Sequence, residues 1–139
     1  MNFKNSEIGF AVPAGWEDRC ITAFSAPQRP GQKLAPNVLV TRETAPPGEE
    51  LEDYANRLLV DFARQLDNFK LQRRRLRELG GAPAVEITFQ WGPEFNIWQR
   101  QIIVAHNKQM FTLVSTSLTT DMGAAEQHFE TIASTFRFS

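Results

Sequence analysis

Two segments of the chain carry apolar residues at steps of three and four, which is the spacing of an amphipathic helix. The first follows the chain-turning Pro46-Pro47-Gly48, and its apolar positions are Leu51, Tyr54, Ala55, Leu58, Phe62 and Leu66. The second follows Thr119-Thr120-Asp121, residues that can cap a helix, and its apolar positions are Met122, Ala125, Phe129, Ile132, Ala133 and Phe136. Each stripe predicts a helix with one face packed against the rest of the domain.

Apolar and polar residues alternate elsewhere, as is typical of β-strands. The three strands predicted before the first helix and the last two of the chain cover residues 8–12, 19–26, 37–43, 95–106 and 110–118. Between them, the alternation from Phe69 to Trp91 crosses Gly80-Gly81, which predicts a hairpin. Asn107-Lys108 predicts a second tight turn between the last two strands.

The predicted order, β-β-β-α-β-β-β-β-α, indicates an α+β fold. Connections of hairpin length cannot make parallel crossovers, so we expect an antiparallel sheet of about six to seven strands with two helices packed on one face. At 139 residues the chain has the size of one ordinary domain, and we predict a single domain over residues 1–139.

Several strands are apolar on both alternations, which leaves one sheet face in need of a cover. In residues 95–106 one face shows Trp98, Ile102 and Val104, and the other shows Phe95, Ile97, Gln99, Gln101 and Ile103. The run Val38-Leu39-Val40 repeats the feature. An uncovered large side chain forgoes roughly 1.5 to 3 kcal/mol, so such a face usually marks an interface. Burial by loops or strand curvature within the monomer is the alternative.

Candidate catalytic chemistry is sparse. His106 and His128 are the two histidines and Cys20 is the one thiol, and neither a nucleophile elbow nor a phosphate-binding loop is present. Glu86 and Glu94 are interpreted as solvent-facing residues of a strand and a turn. We therefore expect no enzyme activity, no metal ion and no cofactor.

Two further residue sets allow more than one interpretation. The basic run Arg73, Arg74, Arg75 and Arg77 is interpreted as charge that protects a sheet edge from strand addition. Binding of phosphate or of an acidic partner is the alternative. Alternation places Arg74 on the opposite face from the other three arginines. Trp16, Trp91 and Trp98 could line a ligand cleft, although tryptophan is more typical of a core.

Charge and the amino-terminal residues bear on the partners and the compartment. A formal net charge of -1 offers no field for phosphate backbones or anionic lipid, so nucleic acid is not an expected partner. Lys4 and Glu7 interrupt any apolar run of a signal peptide, and no stretch is apolar for the roughly 20 residues that cross a bilayer. A single cysteine is compatible with a reducing compartment. We expect a cytoplasmic protein that is not itself inserted in a membrane.

Five patterns spread over almost the whole chain describe a fold rather than a catalytic site. They are FAVPAGWED at residues 10–18, NVLVTRE at 37–43 with PGEEL at 47–51, GAPA at 81–84, QRQ at 99–101 and HFETIASTF at 128–136. In this order they resemble the Eag family, the effector-associated chaperones of type VI secretion, within the larger DcrB-related superfamily. Exported DcrB-related proteins carry signals, and the present chain resembles the cytoplasmic branch.

The resemblance implies a cytoplasmic chaperone that forms a homodimer. The apolar concave sheet of such a dimer holds the amino-terminal transmembrane helices of a secreted toxin, of the Rhs type or similar, until the toxin is loaded on the spike of the secretion machine. The spike protein is thus a second expected partner.

Residues on the apolar strand faces and on the edge of the first helix are the candidates for the client groove. They are Ile21, Ala23, Val38, Val40, Leu58, Phe62, Ile97, Gln99, Gln101 and Ile103, with Leu39 as the alternate of the two valines. The strand register, and hence the face that forms the groove, stays open. Two other functions also stay open: a regulatory protein-binding module similar to Mog1 or PsbP, which needs no apolar groove, and a carrier of a small hydrophobic ligand, with Trp91 and Trp98 closing its pocket.

Overall fold

The computed structural model describes residues 2–4, 8–17, 19 and 21–139, and for residues 2–4 the backbone alone. Cys20 and Glu7, on which two of the expectations above rest, lie outside the described residues. The strands are β1 (Asn2–Lys4), β2 (Gly9–Ala11), β3 (Thr22–Ser25), β4 (Asn37–Thr44), β5 (Lys70–Leu79), β6 (Ala82–Trp91), β7 (Ile97–His106) and β8 (Gln109–Leu118). The helices are α1 (Leu51–Gln65) and α2 (Met122–Thr135), and a short 3-10 turn (Thr119–Asp121) leads into α2.

Six strands form one antiparallel sheet in the order β3-β4-β8-β7-β6-β5. The first two strands, β1 and β2, pair with each other in a separate antiparallel ribbon. The α+β class, the antiparallel pairing and the order of the predicted elements are confirmed, with β1 as an additional short strand.

Two tight turns set the register of the meander from β5 to β8. Gly80 and Gly81 have φ angles of 60° and 81°, and Asn107 and Lys108 have φ angles of 50° and 61°. Two-residue hairpin turns with both φ angles positive match the right-handed twist of the flanking strands. Both predicted turns are confirmed.

The two helices lie on opposite faces of the sheet, so the prediction that both pack on one face is wrong. In β7, Ile103 packs with Tyr54 of α1, whereas its neighbours Ile102 and Val104 pack with Phe129 of α2. Successive residues of a strand point to opposite sides, so α1 and α2 cover different faces. Alternation along the sequence reveals two apolar faces, but it does not reveal which helix covers which.

We call the two sides of the sheet the α1 face and the α2 face. The buried cluster on the α1 face consists of Tyr54, Ala55, Val85, Ile87, Phe89, Ile103 and Met110. The cluster on the α2 face consists of Leu79, Ala84, Ile102, Val104, Leu113, Phe129 and Ala133. The domain therefore has three layers, helix, sheet and helix, with a core on each side of the sheet.

Candidate functional site

Helix α1 covers only part of its face of the sheet. Its buried contacts are concentrated on β6 and β7, while the α1 face continues through β8 and β4 to the edge strand β3. Between the helix and this outer part of the sheet lies an open cavity of about 320 Å³. We call this cavity the α1 groove, and it is lined by Arg19, Ile21, Thr41, Arg42, Glu43, Tyr54, Leu58, Phe62, Gln101, Met110, Thr112 and Val114.

Strand pairing continues the same surface away from the cavity. One cross-strand row runs Ala23, Leu39, Val114, Gln101, and the next runs Ser25, Asn37, Thr116, Gln99. The following pair on β8 and β7 is Leu118 and Ile97. The α1 groove thus continues as a strip in which a mainly apolar row, a polar row and an apolar pair follow one another.

Seven of the ten sequence-predicted groove residues lie on this surface. Ile21, Leu58, Phe62 and Gln101 line the cavity, and Ala23, Ile97 and Gln99 belong to its continuation. Ile21 is 62% exposed although it is a large apolar residue. The α1 groove is thus built from residues that are far apart in the chain.

Three predicted residues are placed elsewhere. Val38 and Val40 point to the α2 face and pack against its cluster, because β4 pairs with β8 in the register Val40 to Leu113. Leu39, their alternate, is the one on the groove side. Ile103 is fully buried beneath α1, so it belongs to the core and is not accessible to a client.

The two glutamines of β7 have different surroundings. Gln99 donates a hydrogen bond from Nε2 to Oγ1 of Thr116 at 3.0 Å. Gln101 is only 6% exposed and lines the cavity, yet within the described part of the chain its amide makes no hydrogen bond. An amide that faces the cavity without a protein partner can bond to water or to a ligand.

Tyr54 ties the start of α1 to β4 at one end of the groove. Its hydroxyl donates a hydrogen bond to the Glu43 carboxylate, and burial together with this bond raises the pKa of the Tyr54 phenol. The Arg57 guanidinium lies 5.0 Å from the Tyr54 ring centre and pairs with Glu49 at 3.1 Å. The groove wall formed by α1 is therefore held in place by polar contacts as well as by its apolar stripe.

The sequence did not reveal a second cavity, on the α2 face between the β3-β4 edge and α2. It has a volume of about 350 Å³ and is lined in part by Phe24, Val38, Ala125 and Ile132. Phe24, on the edge strand, is 72% exposed. Since Ile21 is exposed toward the other side, this edge of the sheet presents apolar side chains on both faces.

A polar cluster occupies the opposite edge of the α2 face. Glu86 is 1% exposed, which corrects its interpretation as a solvent-facing residue. Its carboxylate accepts hydrogen bonds from Arg100 at 2.8 Å, Arg77 at 2.6 Å, Arg75 at 3.2 Å and Arg73 at 3.3 Å. Burial acts to raise the pKa of Glu86, but the bonds from Arg100 and Arg77 outweigh it and hold the pKa at about 2.

Helix α2 contributes a second carboxylate to these arginines. Glu130 bonds to Arg77 at 3.2 Å and to Arg100, and it lies 3.8 Å from Arg75. We call Arg73, Arg75, Arg77 and Arg100 the arginine cluster. Arg74 points to the α1 face and pairs with Glu52 at 3.6 Å, so the predicted division of the basic run is confirmed.

The tryptophans do not share a pocket. Trp98 is buried on the α2 face, whereas Trp91 packs on the α1 face and Trp16 is exposed. A carrier pocket closed by Trp91 and Trp98 is excluded by this geometry, since the sheet separates the two rings.

The structure holds no group of three or more His, Cys, Asp or Glu residues placed to bind a metal ion within residues 8–17, 19 and 21–139. Over the same residues, neither helix is long and apolar enough to cross a membrane.

Sequence comparison identifies the family. Residues 7–135 match the DcrB family. The chain belongs to the DcrB family. This DcrB-family chain is also 26% identical to Effector EagT6 of Pseudomonas aeruginosa over 119 aligned residues. The aligned region covers 85% of the present chain and 81% of EagT6. The resemblance to an Eag and DcrB-related family is confirmed.

Solved structures share the fold of the DcrB-family chain at low sequence identity. The crystal structure of PA94, a Pseudomonas aeruginosa protein of unknown function, superposes with a TM-score of 0.83 at 21% identity and covers 100% of this chain and 96% of that one. The cyanobacterial PsbP of Synechocystis gives 0.59 at 14% identity, covering 100% and 92%. LpqN of Mycobacterium tuberculosis, involved in cell envelope biogenesis, gives 0.55 at 12% identity, covering 87% and 85%. The predicted likeness to PsbP is thus confirmed as a likeness of fold.

Proposed function

We propose that the chain is a cytoplasmic chaperone and adaptor that binds the transmembrane helices of a type VI secretion effector in the α1 groove and shields them before the effector is loaded on the secretion spike. The observation that carries the proposal is the part of the α1 face that α1 leaves uncovered, with exposed Ile21 at its rim and, at its base, Gln101, whose amide has no hydrogen-bond partner among the described residues. The similarity to Effector EagT6 supports a role with a secreted effector. No catalytic step is part of the proposed role.

The dimensions of the groove suit a single helix. From β7 to β3 there are three interstrand spacings, or about 14 Å, and a helix with its side chains is about 10 to 12 Å wide. Leu58 and Phe62 supply one wall, and Ile21 and Val114 lie across from them. Each apolar side chain of a client that is removed from water there contributes roughly 1.5 to 3 kcal/mol.

The polar residues of the groove suit a helix that is rich in small residues. Such a helix brings its backbone close to a neighbouring surface. The amides of Gln99 and Gln101 and the hydroxyls of Thr112 and Thr116 would then donate to helix carbonyl oxygens, in place of water. Leu39, Val114 and Ile97 supply apolar surface that a regulatory module without an apolar groove does not need.

The length of the groove favours a homodimer. From Thr112 to Leu118 the strip is about 20 Å long along the strands, which matches about 13 residues of helix, whereas a membrane span needs about 20. One copy therefore leaves part of a span in water, and a second copy would cover the remainder.

Coexpression with the amino-terminal transmembrane segment of a type VI effector tests the proposal. The client segment should stay soluble and comigrate with the chain on gel filtration, and Ile21→Asp should reduce the recovered client at least about tenfold, because a charge against an apolar helix is left unpaired. Val60→Asp is the matched control, since Val60 is an exposed apolar residue on α1 outside the groove.

Circular dichroism should show that both variants remain folded. Recovery of soluble client without the chain, or equal recovery with Ile21→Asp and the wild type, would refute the proposed function.

A further inference from the structure

The arginine cluster carries more positive charge than its carboxylates neutralise. Its four guanidinium groups share only the carboxylates of Glu86 and Glu130, which leaves an excess of two positive charges. Glu126 lies one helical turn before Glu130 but forms no ion pair with any described residue. The excess is therefore not balanced by a further described carboxylate.

The inner members of the cluster hold the outer ones in position. Glu86 is buried and Arg100 is 4% exposed in its side chain, and Arg100 also lies over the Phe129 ring at 5.0 Å. The outer arginines, Arg73 and Arg75, keep 48% and 43% of their side-chain surface exposed while they contact Glu86. Two guanidinium groups are thus oriented before any partner arrives, which reduces the entropy lost on binding.

Edge protection alone does not explain this arrangement. The side chains of Arg73, Arg75 and Arg77 lie on the α2 face, and one buried carboxylate gathers them with Arg100 of the interior strand β7. A charged residue that prevents an edge strand from pairing with another strand needs exposure to water, but it does not need a buried partner.

We infer that the arginine cluster docks an acidic segment of a partner protein, whose glutamate or aspartate carboxylates bind Arg73 and Arg75. Planar guanidinium groups pair well with carboxylates, and this cluster already binds two of them. Nucleic acid is disfavoured because the whole chain has a net charge of -1. A membrane surface is disfavoured because β5 turns its exposed leucines, Leu71 and Leu76, to the opposite face.

The docking surface is separate from the α1 groove. It lies on the α2 face beside β5, whereas the groove lies on the α1 face toward β3. An acidic partner and an apolar client helix would therefore bind at the same time. The inference goes beyond the proposed function and does not depend on the identity of the client.

Fluorescence anisotropy with a labelled peptide of alternating Glu and Gly tests the inference, and the same peptide with Gln in place of Glu is the reference. The wild-type chain should bind the Glu peptide at low salt and bind the Gln peptide at least about tenfold more weakly. The double variant Arg73→Gln/Arg75→Gln should raise the Kd for the Glu peptide at least about tenfold. Its matched control, Arg64→Gln/Lys108→Gln, removes the same charge from exposed residues elsewhere and should change the Kd less than about twofold.

Four results would overturn the inference. They are failure of the wild type to bind the Glu peptide, equal weakening in both double variants, full displacement of the peptide by equimolar inorganic phosphate, and stronger binding to anionic lipid vesicles than to the peptide. In the coexpression experiment, Arg73→Gln/Arg75→Gln should recover as much client segment as the wild type. Failure of the docking inference and failure of the proposed function are therefore distinguishable.

Discussion

At the scale of single residues, the buried carboxylate of Glu86 is paired with four arginines. A carboxylate that is almost free of water is stable only when cations and hydrogen bonds replace its hydration. Four arginines do this for Glu86. Three of them, Arg75, Arg77 and Arg100, also contact Glu130, so loss of the Glu86 charge leaves these three with Glu130 alone and Arg73 without its ion pair. The energetic effect of Glu86 should therefore depend on pH.

We expect Glu86→Gln to lower the free energy of unfolding by about 3 kcal/mol at pH 7, because it leaves buried Arg100 short of a counter-charge. The pKa of Glu86 is about 2 in the folded chain and 4.5 ordinarily. Its ionised form therefore stabilises the fold above about pH 5, and this contribution is lost as the pH falls through 4.5 toward 2.

Urea unfolding at several pH values measures the effect. The difference between wild type and Glu86→Gln should stay constant from pH 7 to about pH 5 and shrink at lower pH. Glu94→Gln is the control, since Glu94 is an exposed turn residue, and its effect should be below about 0.5 kcal/mol. A difference that does not vary with pH would contradict the role of the Glu86 charge.

At the scale of elements, the β5-β6 hairpin and the residues after α2 are packed together. Phe138 stacks on His106 with ring centres 3.8 Å apart and meets Phe136 edge-on at 5.2 Å. Both phenylalanine rings lie against Gly80, where an added Cβ would come within 3.0 Å of Phe138 and 3.3 Å of Phe136. The turn thus requires glycine for its space as well as for its positive φ.

Gly80→Ala should lower the free energy of unfolding by about 2 kcal/mol, since a φ of 60° is unfavourable for alanine and its methyl group meets the Phe138 ring. Gly123→Ala, in the first turn of α2 with open space around its Cβ position, should instead raise it by up to about 1 kcal/mol. Thermal unfolding of both variants measures the two effects. Equal effects of the same sign would show that the turn does not need its glycine.

At the scale of the whole molecule, the two edges of the sheet differ on the α2 face. There the β5 edge carries the arginine cluster, and the β3 edge presents Phe24. This asymmetry agrees with an assembly in which the β3 side meets apolar partners and the β5 side meets a polar one.

We expect the chain to be a dimer at micromolar concentration by sedimentation equilibrium. Phe24→Asp should weaken the self-association at least about tenfold, because Phe24 is a largely exposed aromatic residue on the β3 edge and a charge there would oppose an apolar contact. Val60→Asp should leave the association unchanged. A monomer at these concentrations, or a dimer that Phe24→Asp leaves intact, would argue against self-association through this edge.

The sequence by itself determined the two helices, the strands other than β1, their order and part of the groove surface. Helical stripes, strand alternation and turn residues are local, so Leu58 with Phe62 and Gln99 with Gln101 could be recognised from their neighbours in the chain. Only the tertiary structure decided which face each helix covers, since alternation shows two apolar faces without assigning a cover. In the structure, Val38 and Val40 therefore lie on the α2 face and Ile103 lies in the core, instead of in the groove as predicted. Leu39 lies on the groove side. The tertiary structure also decided the burial of Glu86, because its four arginine partners come from two different strands and meet only when the sheet forms.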